Sequence, residues 1–512
     1  MDKINGIKLA LTENESLLLS KVAKIKGVKP NKIKYFKILK KSIDARDKGN
    51  VFYTYNVEYS LSEVSAQKIE YPKVKGEVVV VGSGPCGLFC ALYLARSGVK
   101  VTLLERGSSV EKRAKTNDRF FNEGILNTEC NVQFGEGGAG TFSDGKLNTQ
   151  VNNERIKLVL EDFVSFGAPE EITYLSKPHI GSDNLPKVVK NIRNEIINLG
   201  STVIFDAKVS DFIIKNGQIC SIIYVKEGKS YELVTNKVVL AVGHSARDTF
   251  ERLNALGVMM ESKDFAVGFR IEHLQEHIGL SQYGKNYSLL PSADYKLVSH
   301  AGERDVFTFC MCPGGYVMPA TSEEGCVVTN GMSEYKRDGL NANSALVCRV
   351  TRNDYDSIDD PLAGVRFQRE LERKAFIAGG SNYKAPVQLV RDFINGKQSS
   401  NFDGVLPTYK IGTQFYPLHE FFKKSFTNSL ISATIDMSKK LKGFSENGAL
   451  FTGVESRTSS PLRILRDESL QSVSVKGLYP AGEGAGYAGG ITSAAADGIK
   501  VALQIISTLD KK

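Results

Sequence analysis

The sequence lacks several features that would assign it to particular classes of protein. Its 512 residues contain no apolar run close to the roughly 20 residues that a membrane-spanning helix needs. The first residues, MDKINGIKLALTENES, do not have the charged and then apolar layout of a signal peptide. Neither an internal repeat nor a low-complexity tract is present. These absences make the cytoplasm the expected location.

Cysteine is scarce and scattered. The eight cysteines, at positions 86, 90, 130, 220, 310, 312, 326 and 348, match neither a disulfide framework nor a four-ligand zinc pattern. We therefore expect reduced thiols and no metal site. His273 and His277 resemble half of a metal site if their segment is helical, but a third ligand is missing, so we favour a solvated pair.

Composition is that of a globular protein with more than one domain. The chain is 42% hydrophobic and 24% charged, and its length exceeds what one hydrophobic core usually organises, so we expect two or three domains. The formal net charge of +9 is unevenly distributed. Residues 1–75 hold 16 Lys and Arg against 8 Asp and Glu, so nearly all of the excess belongs to this segment.

The stretch VVVVGSGPCG, residues 78–87, predicts a dinucleotide site. Its three glycines, Gly82, Gly84 and Gly87, stand between an apolar strand and a helix, where they allow a tight turn, close approach to a pyrophosphate and close helix–sheet packing. The helix N-terminus then faces the phosphates with unpaired amides. Glu105 ends the next strand, placed to accept ribose hydroxyls. This pattern alone does not separate NAD from FAD.

A second glycine cluster, GLYPAGEGAGYAGG, lies at residues 477–490. A buried strand ends there at Gly482-Glu483, and a helix of small residues begins near Gly489. Here the sequence resembles the two-dinucleotide-binding-fold, glutathione-reductase-like flavoproteins, whose chain leaves the FAD domain and returns at its C-terminus. The resemblance implies that Glu483 replaces the aspartate that contacts the ribitol side of FAD. It also implies that the helix aims its dipole at the flavin's pyrimidine edge.

The resulting expectation is an α/β fold with a small α+β module added at the N-terminus. We expect a basic N-terminal α+β module at residues 1–75 and the first part of a Rossmann-like FAD-binding domain at 76–257. An inserted antiparallel α+β substrate or cap domain is expected at 258–445, with one solvated or ligand-facing side. The C-terminal part of the FAD-binding domain follows at 446–512.

Longer strings narrow the resemblance. The sequence is similar to the bacterial family usually labelled uncharacterised FAD-dependent dehydrogenases in KKSIDARDK, NVQFGEGGAGTFSDGKLNT, KPHIGSDNL, FCMCPGGYVMPATSEEG and GVESRTSSPLRILR. The likeness runs from about residue 38 to the end. It implies FAD and a redox reaction, but it implies no agreed substrate.

The loop GEGGAGTFSDGK, residues 135–146, has five glycines and few apolar side chains. In related flavoproteins the corresponding loop crosses the flavin, which implies that Ser143 and its neighbours offer N–H or hydroxyl groups to the ring. A mobile surface loop is the alternative. Arg113 is placed to reach the pyrophosphate, although a solvated helical arginine fits equally well. The predicted cofactor-binding residues are Gly82, Ser83, Gly84, Pro85, Cys86, Gly87, Glu105, Arg106, Arg113, Gly138, Ala139, Gly140, Thr141, Val209, Gly243, His244, Gly482, Glu483, Gly489, Gly490 and Ile491.

Four residues are candidates for catalysis, although none is fixed by a motif. Lys146 is placed to hold an anionic substrate or cofactor charge, and Arg270 alternates with apolar residues along a predicted strand. CMCPGG puts Cys310 and Cys312 on one face of a strand before a Pro-Gly-Gly hairpin. A redox pair is one interpretation, but structural cysteines are favoured because the spacing is not Cys-x-x-Cys.

The function that fits best is an FAD-dependent dehydrogenase or reductase of unknown substrate, which moves two electrons through non-covalent FAD. NAD(P)H is one candidate donor, although we find no second dinucleotide pattern. The alternative is a flavin-containing RNA- or partner-binding protein, or a flavin-dependent RNA-modifying enzyme, that docks through the basic module. KVAKIKGVKPNKIKYFKILKK, with Tyr35 and Phe36 interleaved, suggests this. A solvated lysine-rich face is the simpler interpretation.

Overall fold

A computed structural model describes residues 1–64, 70–149, 153–355, 357, 359–446 and 448–511. Residues 65–69 of the predicted N-terminal module and residues 447 and 512 of the predicted C-terminal part lie outside this description. In chain order the described strands are β1 (Asp2–Ala10), β2 (Tyr35–Asp44), β3 (Phe52–Ser60), β4 (Glu77–Val81), β5 (Lys100–Leu104), β6 (Thr202–Ile204), β7 (Lys208–Lys215), β8 (Gln218–Lys226), β9 (Lys229–Val234), β10 (Val238–Leu240), β11 (Met260–Ser262), β12 (Phe265–Leu274), β13 (Val298–Ser299), β14 (Val306–Cys312), β15 (Tyr316–Pro319), β16 (Thr329–Met332), β17 (Asn341–Val350), β18 (Ala385–Leu389), β19 (Thr413–Phe415), β20 (Leu450–Glu455), β21 (Leu462–Ile464) and β22 (Leu478–Pro480). The α-helices are α1 (Leu17–Lys26), α2 (Pro85–Arg96), α3 (Val110–Glu123), α4 (Glu154–Ser165), α5 (Leu185–Asn198), α6 (Arg247–Ala255), α7 (Gln275–Tyr283), α8 (Ala363–Ala378), α9 (Val390–Ile394), α10 (Lys424–Lys440) and α11 (Ile491–Ser507).

A parallel sheet with the strand order β22-β10-β4-β5-β6 confirms the predicted Rossmann-like fold. The valine run of β4 is continuous because both faces of the strand are buried. Val78 and Val80 pack into a core with helices α2, α4, α5 and α11. Val79 and Val81 face the opposite core, formed with α6 and with β7, β8 and β10. The strand that returns near the C-terminus, β22, adds to the edge of this sheet beside β10.

A three-stranded antiparallel meander, β7-β8-β9, lies next to this sheet. The strings KNGQ and KEGK predict tight glycine turns between strands, and the meander turns there, with positive φ at Asn216-Gly217 and Glu227-Gly228. The apolar segment YELVTNKVVLAVG predicts one strand, but it forms two. β9 belongs to the meander and β10 to the parallel sheet, because the chain turns between them at residues 235–237.

The second large sheet has seven strands in the order β13-β14-β17-β12-β20-β18-β19. Its pairs are antiparallel except for β18 and β19, which run parallel, so the predicted antiparallel domain is a mixed one. β20 ends at Glu455 and pairs with β12, so the sheet extends past the boundary expected at residue 445. Of the two alternatives predicted for one side of this sheet, solvated or ligand-facing, the solvated one does not hold for the central strand β12. Its polar residues Arg270 and Glu272 are fully buried and bonded to other buried polar groups.

The N-terminal segment forms a small sheet, β1-β3-β2, covered by α1. It joins the parallel-sheet region through backbone bonds, since the Lys41 N–H donates to the Tyr174 carbonyl at 2.7 Å and the Ser176 N–H donates to the Lys41 carbonyl at 2.9 Å. In the described part of the chain we find no helix with the length and apolar content that crossing a membrane requires.

Candidate cofactor and active site

A cleft of about 330 Å³ opens along the carboxyl edge of the parallel sheet. It is lined by the residues that follow β4, β5, β10 and β22, which is where ligands bind in open α/β sheets. Residues 133–146 and the start of α11 complete one wall. Side chains from the seven-stranded sheet, Phe309, Cys310 and Glu455, reach the same space. The two glycine clusters that are almost 400 residues apart in the sequence therefore meet at one cleft.

The turn between β4 and α2 is shaped by close backbone contacts. A Cβ at Gly87 would lie 1.8 Å from the Gly82 carbonyl oxygen, so only glycine lets α2 start this close to the strand. At Gly84 the nearest heavy atom to such a Cβ is the Gly138 Cα at 3.8 Å. Among the described residues, no side chain caps the first turn of α2. Its amide groups therefore face the cleft as potential phosphate ligands.

The buried guanidinium of Arg113 holds the second glycine loop in place. It donates to the carbonyls of Asn131 at 2.8 Å, Val132 at 2.7 Å and Glu136 at 2.7 Å. Burial lowers the pKa of Arg113 to about 10. The prediction that Arg113 reaches a pyrophosphate is corrected, because its side chain is fully buried and lies outside the cleft lining. Four backbone carbonyls occupy the guanidinium instead.

Glu105 links the same loop to the first glycine turn. Its Oε2 accepts bonds from the Ser83 amide and hydroxyl at 2.8 and 2.7 Å. Its Oε1 accepts from the amides of Gly107 and Gly135, each at 3.0 Å. Since a carboxylate has about four acceptor positions, these donors already engage all of them. Glu105 also lines the cleft, but these four bonds leave it no free acceptor position for the ribose hydroxyls that were predicted to bind it.

Arg106 and Lys208 lie beside Glu105 at the same part of the cleft. Arg106 donates two bonds to Asp248, at 3.0 and 2.8 Å, and Lys208 bonds to the same carboxylate at 2.8 Å. These two cations hold the pKa of Asp248 well below its usual range despite its burial. Val209 follows on β7 and contributes to the wall.

The start of α11 forms another part of the wall, as Gly489, Gly490, Ile491 and Ala494 all line the cleft. Within the described residues, the helix has no side-chain cap at Gly490, which leaves its first amides available to a ligand. The Glu483 carboxyl also lines the cleft, and burial raises its pKa to about 7 although the Gly490 amide lowers it. Gly482 does not reach the cleft, because its amide donates to Asp497 at 2.8 Å.

Charged groups and thiols meet where the second sheet reaches the cleft. Arg270 donates to Asn343 at 2.7 Å, to Glu455 at 3.3 Å and to the Cys310 carbonyl at 2.5 Å. Burial raises the pKa of Glu455 to about 7 although Arg270 lowers it. The Oε2 of Glu455 has no hydrogen-bond partner among the described residues. Lys146 lies 3.4 Å from Asp144 and 3.9 Å from the Cys312 sulfur. The arrangement offers a cation, a buried carboxyl and the Cys310 thiol to a bound ligand, with the Cys312 thiol directly behind.

The geometry predicted for Cys310 and Cys312 is wrong. β14 is not a regular strand here, because its pairing with β17 shifts register between Phe309 and Cys312. Cys310 has a left-handed φ of 45°. In place of the predicted hairpin, the next strand, β15, pairs with β16, while β14 pairs with β17. The bulge directs Cys310 to the cleft and leaves Cys312 fully buried.

A network of buried arginines and carboxylates supports the wall beneath His244. Glu372, fully buried on α8, accepts from Arg247 at 2.9 and 2.7 Å and from Arg457 at 2.9 and 2.7 Å. Arg457 lines the cleft and also donates to the Ser245 hydroxyl at 3.0 Å. Burial and these arginines lower the pKa of His244 to about 3, so the imidazole at the cleft is neutral.

Sixteen of the predicted cofactor-binding residues line the cleft, namely Gly82, Gly84, Pro85, Cys86, Glu105, Arg106, Gly138, Ala139, Gly140, Val209, Gly243, His244, Glu483, Gly489, Gly490 and Ile491. The others among the described residues lie behind the wall: Ser83, Gly87, Arg113, Thr141 and Gly482. Of the four catalytic candidates, Lys146 and Cys310 line the cleft, while Arg270 and Cys312 are buried just behind them.

His273 and His277 do not lie on one helix, as a pair of metal ligands at this spacing would require. His273 is in strand β12, fully buried, with its Nδ1 3.0 Å from the Phe444 carbonyl and its Nε2 3.0 Å from the Tyr295 hydroxyl. His277 lies on the following helix, α7. The expectation of a solvated pair is therefore wrong for His273, because the strand continues through the segment and carries its side chain into the core.

Several residues of the cleft were missed from the sequence, including Phe309, Asn330, Glu455 and Arg457. Glu455 and Arg457 belong to the string GVESRTSSPLRILR, which carries part of the family resemblance. That string does not indicate that their side chains face the cleft. Phe309 comes from β14 of the seven-stranded sheet, and Asn330 comes from β16, which pairs with β15 in a separate two-stranded sheet. Nothing in their local sequence indicates that they face the cleft.

Family comparisons match most of the chain. "FAD-dependent protein, C-terminal domain-like" matches residues 264–458, and "Pyridine nucleotide-disulphide oxidoreductase" matches residues 57–134 and 76–276. A domain of unknown function matches residues 1–60. An uncharacterized protein of Clostridium beijerinckii is 45% identical over 532 residues, which cover 99% of both chains.

Solved structures of flavoproteins are more distant. The flavin-dependent brominase Bmp2, in a triple mutant, is 12% identical with a TM-score of 0.37, over 85% of this chain and 81% of that one. A mutant of the E. coli quinol fumarate reductase FrdA is 12% identical with a TM-score of 0.37, over 85% of this chain and 70% of that one.

Proposed function

This chain belongs to the family of FAD-dependent proteins with a pyridine nucleotide-disulphide oxidoreductase domain, and we propose that it is an oxidoreductase that moves two electrons through a non-covalently bound FAD. The observation that carries this proposal is that both glycine clusters open into one cleft. A dinucleotide site for NAD alone needs only the first cluster. The second cluster, with the uncapped start of α11, is explained by a cofactor with a further ring system.

The residues of the cleft fit such a cofactor. Gly84 and Gly138 present only backbone to each other beside the start of α2, which leaves space for a pyrophosphate at the helix amides. Glu105, Arg106 and Val209 would border the adenosine. The cavity of about 330 Å³ lies within the range of small-molecule sites.

The residues at the other part of the cleft suit a redox ring. FAD, when bound, supplies reversible two-electron chemistry. The N-terminal end of α11 would stabilise negative charge on a ring placed against it, and Lys146 would add a positive charge nearby. Glu455 and Glu483, each with a pKa raised to about 7 mainly by burial, can hold or release a proton near neutral pH.

Cofactor titrations test this proposal. The purified protein is expected to carry a flavin absorbance band. The apoprotein should bind FAD more tightly than FMN, which lacks the adenosine, and more tightly than NAD+, which lacks the isoalloxazine ring. Binding of NAD+ with equal or greater affinity than FAD would contradict the proposal. The reaction partner is then sought by anaerobic reduction with NADH and NADPH, for which we propose NAD(P)H as the first donor to test. If neither bleaches the flavin, the donor belongs to another class.

A second function, docking to a polyanion such as RNA, is supported by the N-terminal module. Seven lysines on α1, on the turn after it and on β2 are exposed: Lys24, Lys26, Lys29, Lys32, Lys34, Lys37 and Lys40. Each cation that neutralises a phosphate makes binding more salt-dependent. Among the described lysines outside the module, Lys439, Lys440 and Lys442 are also exposed and serve as a matched control.

A substitution pair tests the docking proposal. Changing Lys32, Lys34 and Lys37 to Gln should weaken retention of the full chain on single-stranded RNA and reduce its salt dependence by about three charges. The same change at Lys439, Lys440 and Lys442 should have much less effect. Retention that is absent, or that falls equally in both triple variants, would end the proposal.

A further inference from the structure

Two thiols stand at the wall of the cleft, in the bulge of β14. In a regular strand, alternate residues lie about 6.8 Å apart at Cα, the upper limit for a disulfide. The register shift after Phe309 and the left-handed φ of 45° at Cys310 break that regularity. A left-handed conformation is unfavourable for a non-glycine residue, and outside turns such strained residues cluster at functional sites. The bulge also places Cys310 at the cleft and Cys312 directly behind it.

Two cations converge on this pair. Arg270 donates to the Cys312 sulfur at 3.4 Å and to the Cys310 carbonyl at 2.5 Å. Lys146 donates to the Cys312 sulfur at 3.9 Å. A hydrogen bond from Cys312, together with Lys146 and Arg270, holds the pKa of Cys310 well below its usual range. Burial raises the pKa of Cys312. One thiolate and one thiol in contact form the reactive arrangement of a dithiol.

Four of the other six cysteines lack this setting. Cys86 and Cys90, on the first turns of α2, are also buried close together, but burial raises the pKa of both. Cys348 and Cys326 are likewise buried, with raised pKa values. Buried neutral thiols of this kind are inert, so the contrast with Cys310 identifies one pair.

We propose that Cys310 and Cys312 are a redox-active pair that exchanges two electrons with the flavin of the cleft. This inference rests on the proposed function, since it requires FAD as the electron acceptor. Oxidation of the two thiols breaks two S–H bonds, forms one S–S bond and releases two electrons and two protons. FAD, when bound, would be the acceptor of both electrons and, in total, of two protons, so the step balances. Glu455 lies beside Arg270, and its Oε2 has no hydrogen-bond partner within the described ranges of the chain, so it is the group that relays a proton from the pair.

Electron counting on the purified holoprotein tests the pair. After aerobic isolation, the protein should take up about twice as many electrons per bound flavin in an anaerobic dithionite titration as a flavin alone requires. The reason is that the flavin and the disulfide each accept two electrons. Cys312→Ser should return the count to that of the flavin alone. Cys220→Ser is the control, since Cys220 is half-exposed on β8 and lies outside the cleft lining, and it should keep the doubled count.

Mass spectrometry gives a second measurement that needs no variant. The aerobic protein, unfolded in iodoacetamide, should yield a peptide in which Cys310 and Cys312 are both unlabelled and two mass units lighter, as a disulfide requires. After dithionite both should be labelled, whereas Cys220 is labelled in both samples. A wild-type electron count equal to that of the flavin, with Cys310 and Cys312 labelled in the aerobic sample, overturns the pair but leaves the proposed function standing. A protein that binds no FAD at all overturns the proposed function instead.

Discussion

Gly84 and Gly87, three residues apart, should respond to the same substitution in different ways. At Gly84 the backbone has φ −68° and ψ −179°, which alanine adopts freely. The added Cβ would meet nothing closer than the Gly138 Cα at 3.8 Å, an ordinary contact. At Gly87 it would lie 1.8 Å from the Gly82 carbonyl oxygen, an atom that moves only if the turn moves.

The magnitudes follow from these contacts. Gly84→Ala should change the stability of the apoprotein by no more than about 0.5 kcal/mol. Its methyl group would stand where a pyrophosphate approaches the start of α2, so loss of one charge-assisted bond of about 2 kcal/mol should weaken FAD binding roughly 30-fold. Gly87→Ala should cost the apoprotein about 1–3 kcal/mol, because a helix that packs on both the sheet and α11 must shift.

Two measurements separate the effects. Urea unfolding of each apoprotein, followed by circular dichroism, reports on the fold, and quenching of flavin fluorescence on titration with FAD reports on binding. We expect the unfolding midpoint to fall for Gly87→Ala and to stay near wild type for Gly84→Ala, while both variants bind FAD more weakly. If Gly84→Ala binds FAD as the wild type does, the pyrophosphate does not lie at this turn and the reasoning fails.

Three further predictions concern buried charges. Glu372→Gln should lower the free energy of unfolding by about 3–5 kcal/mol, because the buried Arg457 loses its carboxylate partner and the buried Arg247 keeps only Glu323. Glu323→Gln, whose carboxylate is partly exposed, should cost less than about 1 kcal/mol, and equal losses in urea unfolding would contradict this. Arg113→Met should destabilise the apoprotein by about 3 kcal/mol and weaken FAD binding, because buried carbonyls lose their donor. Arg119→Met, exposed on the same helix, is the control and should change neither. For Glu455 the folded pKa of about 7 lies above the ordinary 4.5, so its stabilising contribution is complete below about pH 4.5 and is lost as the pH rises through 7. Between about pH 5 and pH 8 the free energy of unfolding should therefore fall by up to about 3 kcal/mol less for Glu455→Gln than for the wild type. Urea unfolding at each pH measures this difference, and parallel pH profiles would argue against it.

Much of the parallel-sheet fold could be predicted from local sequence. The valine run of β4, the glycines after it and the stop of α2 lie within twenty residues of one another, and their spacing requires a strand, a tight turn and a helix. The turns at Asn216-Gly217 and Glu227-Gly228 were equally readable, because a two-residue turn between strands needs positive φ at both positions. The role of the second glycine cluster follows from its resemblance to flavoproteins whose chain returns to the FAD domain, and the strand and helix around it lie where that resemblance predicts.

Local sequence did not predict in the same way whether a side chain is buried or exposed. Arg113 has the sequence context of an exposed helical arginine, yet it is fully buried among the carbonyls of residues 131–136. His273 and His277 have helical spacing, but the strand β12 continues through the first of them. In both cases the side chain is held by contacts that no local pattern records. Arg113 bonds to the carbonyls of residues 131–136, and His273 lies within hydrogen-bond distance of Phe444 and Tyr295.

Local sequence was enough to identify the segments that form the carboxyl edge of the parallel sheet, because strand periodicity, turn glycines and helix starts act over a few neighbouring residues. Which other side chains line the cleft at that edge depends on the packing of the whole chain. The seven-stranded sheet brings Cys310 and Glu455 to the cleft through a register shift and long-range pairing. Lys146 lies beside Cys312 although the two residues are 166 positions apart in the sequence. Such contacts depend on how two sheets pack against each other, and the free energy that fixes them is spread over the whole interface.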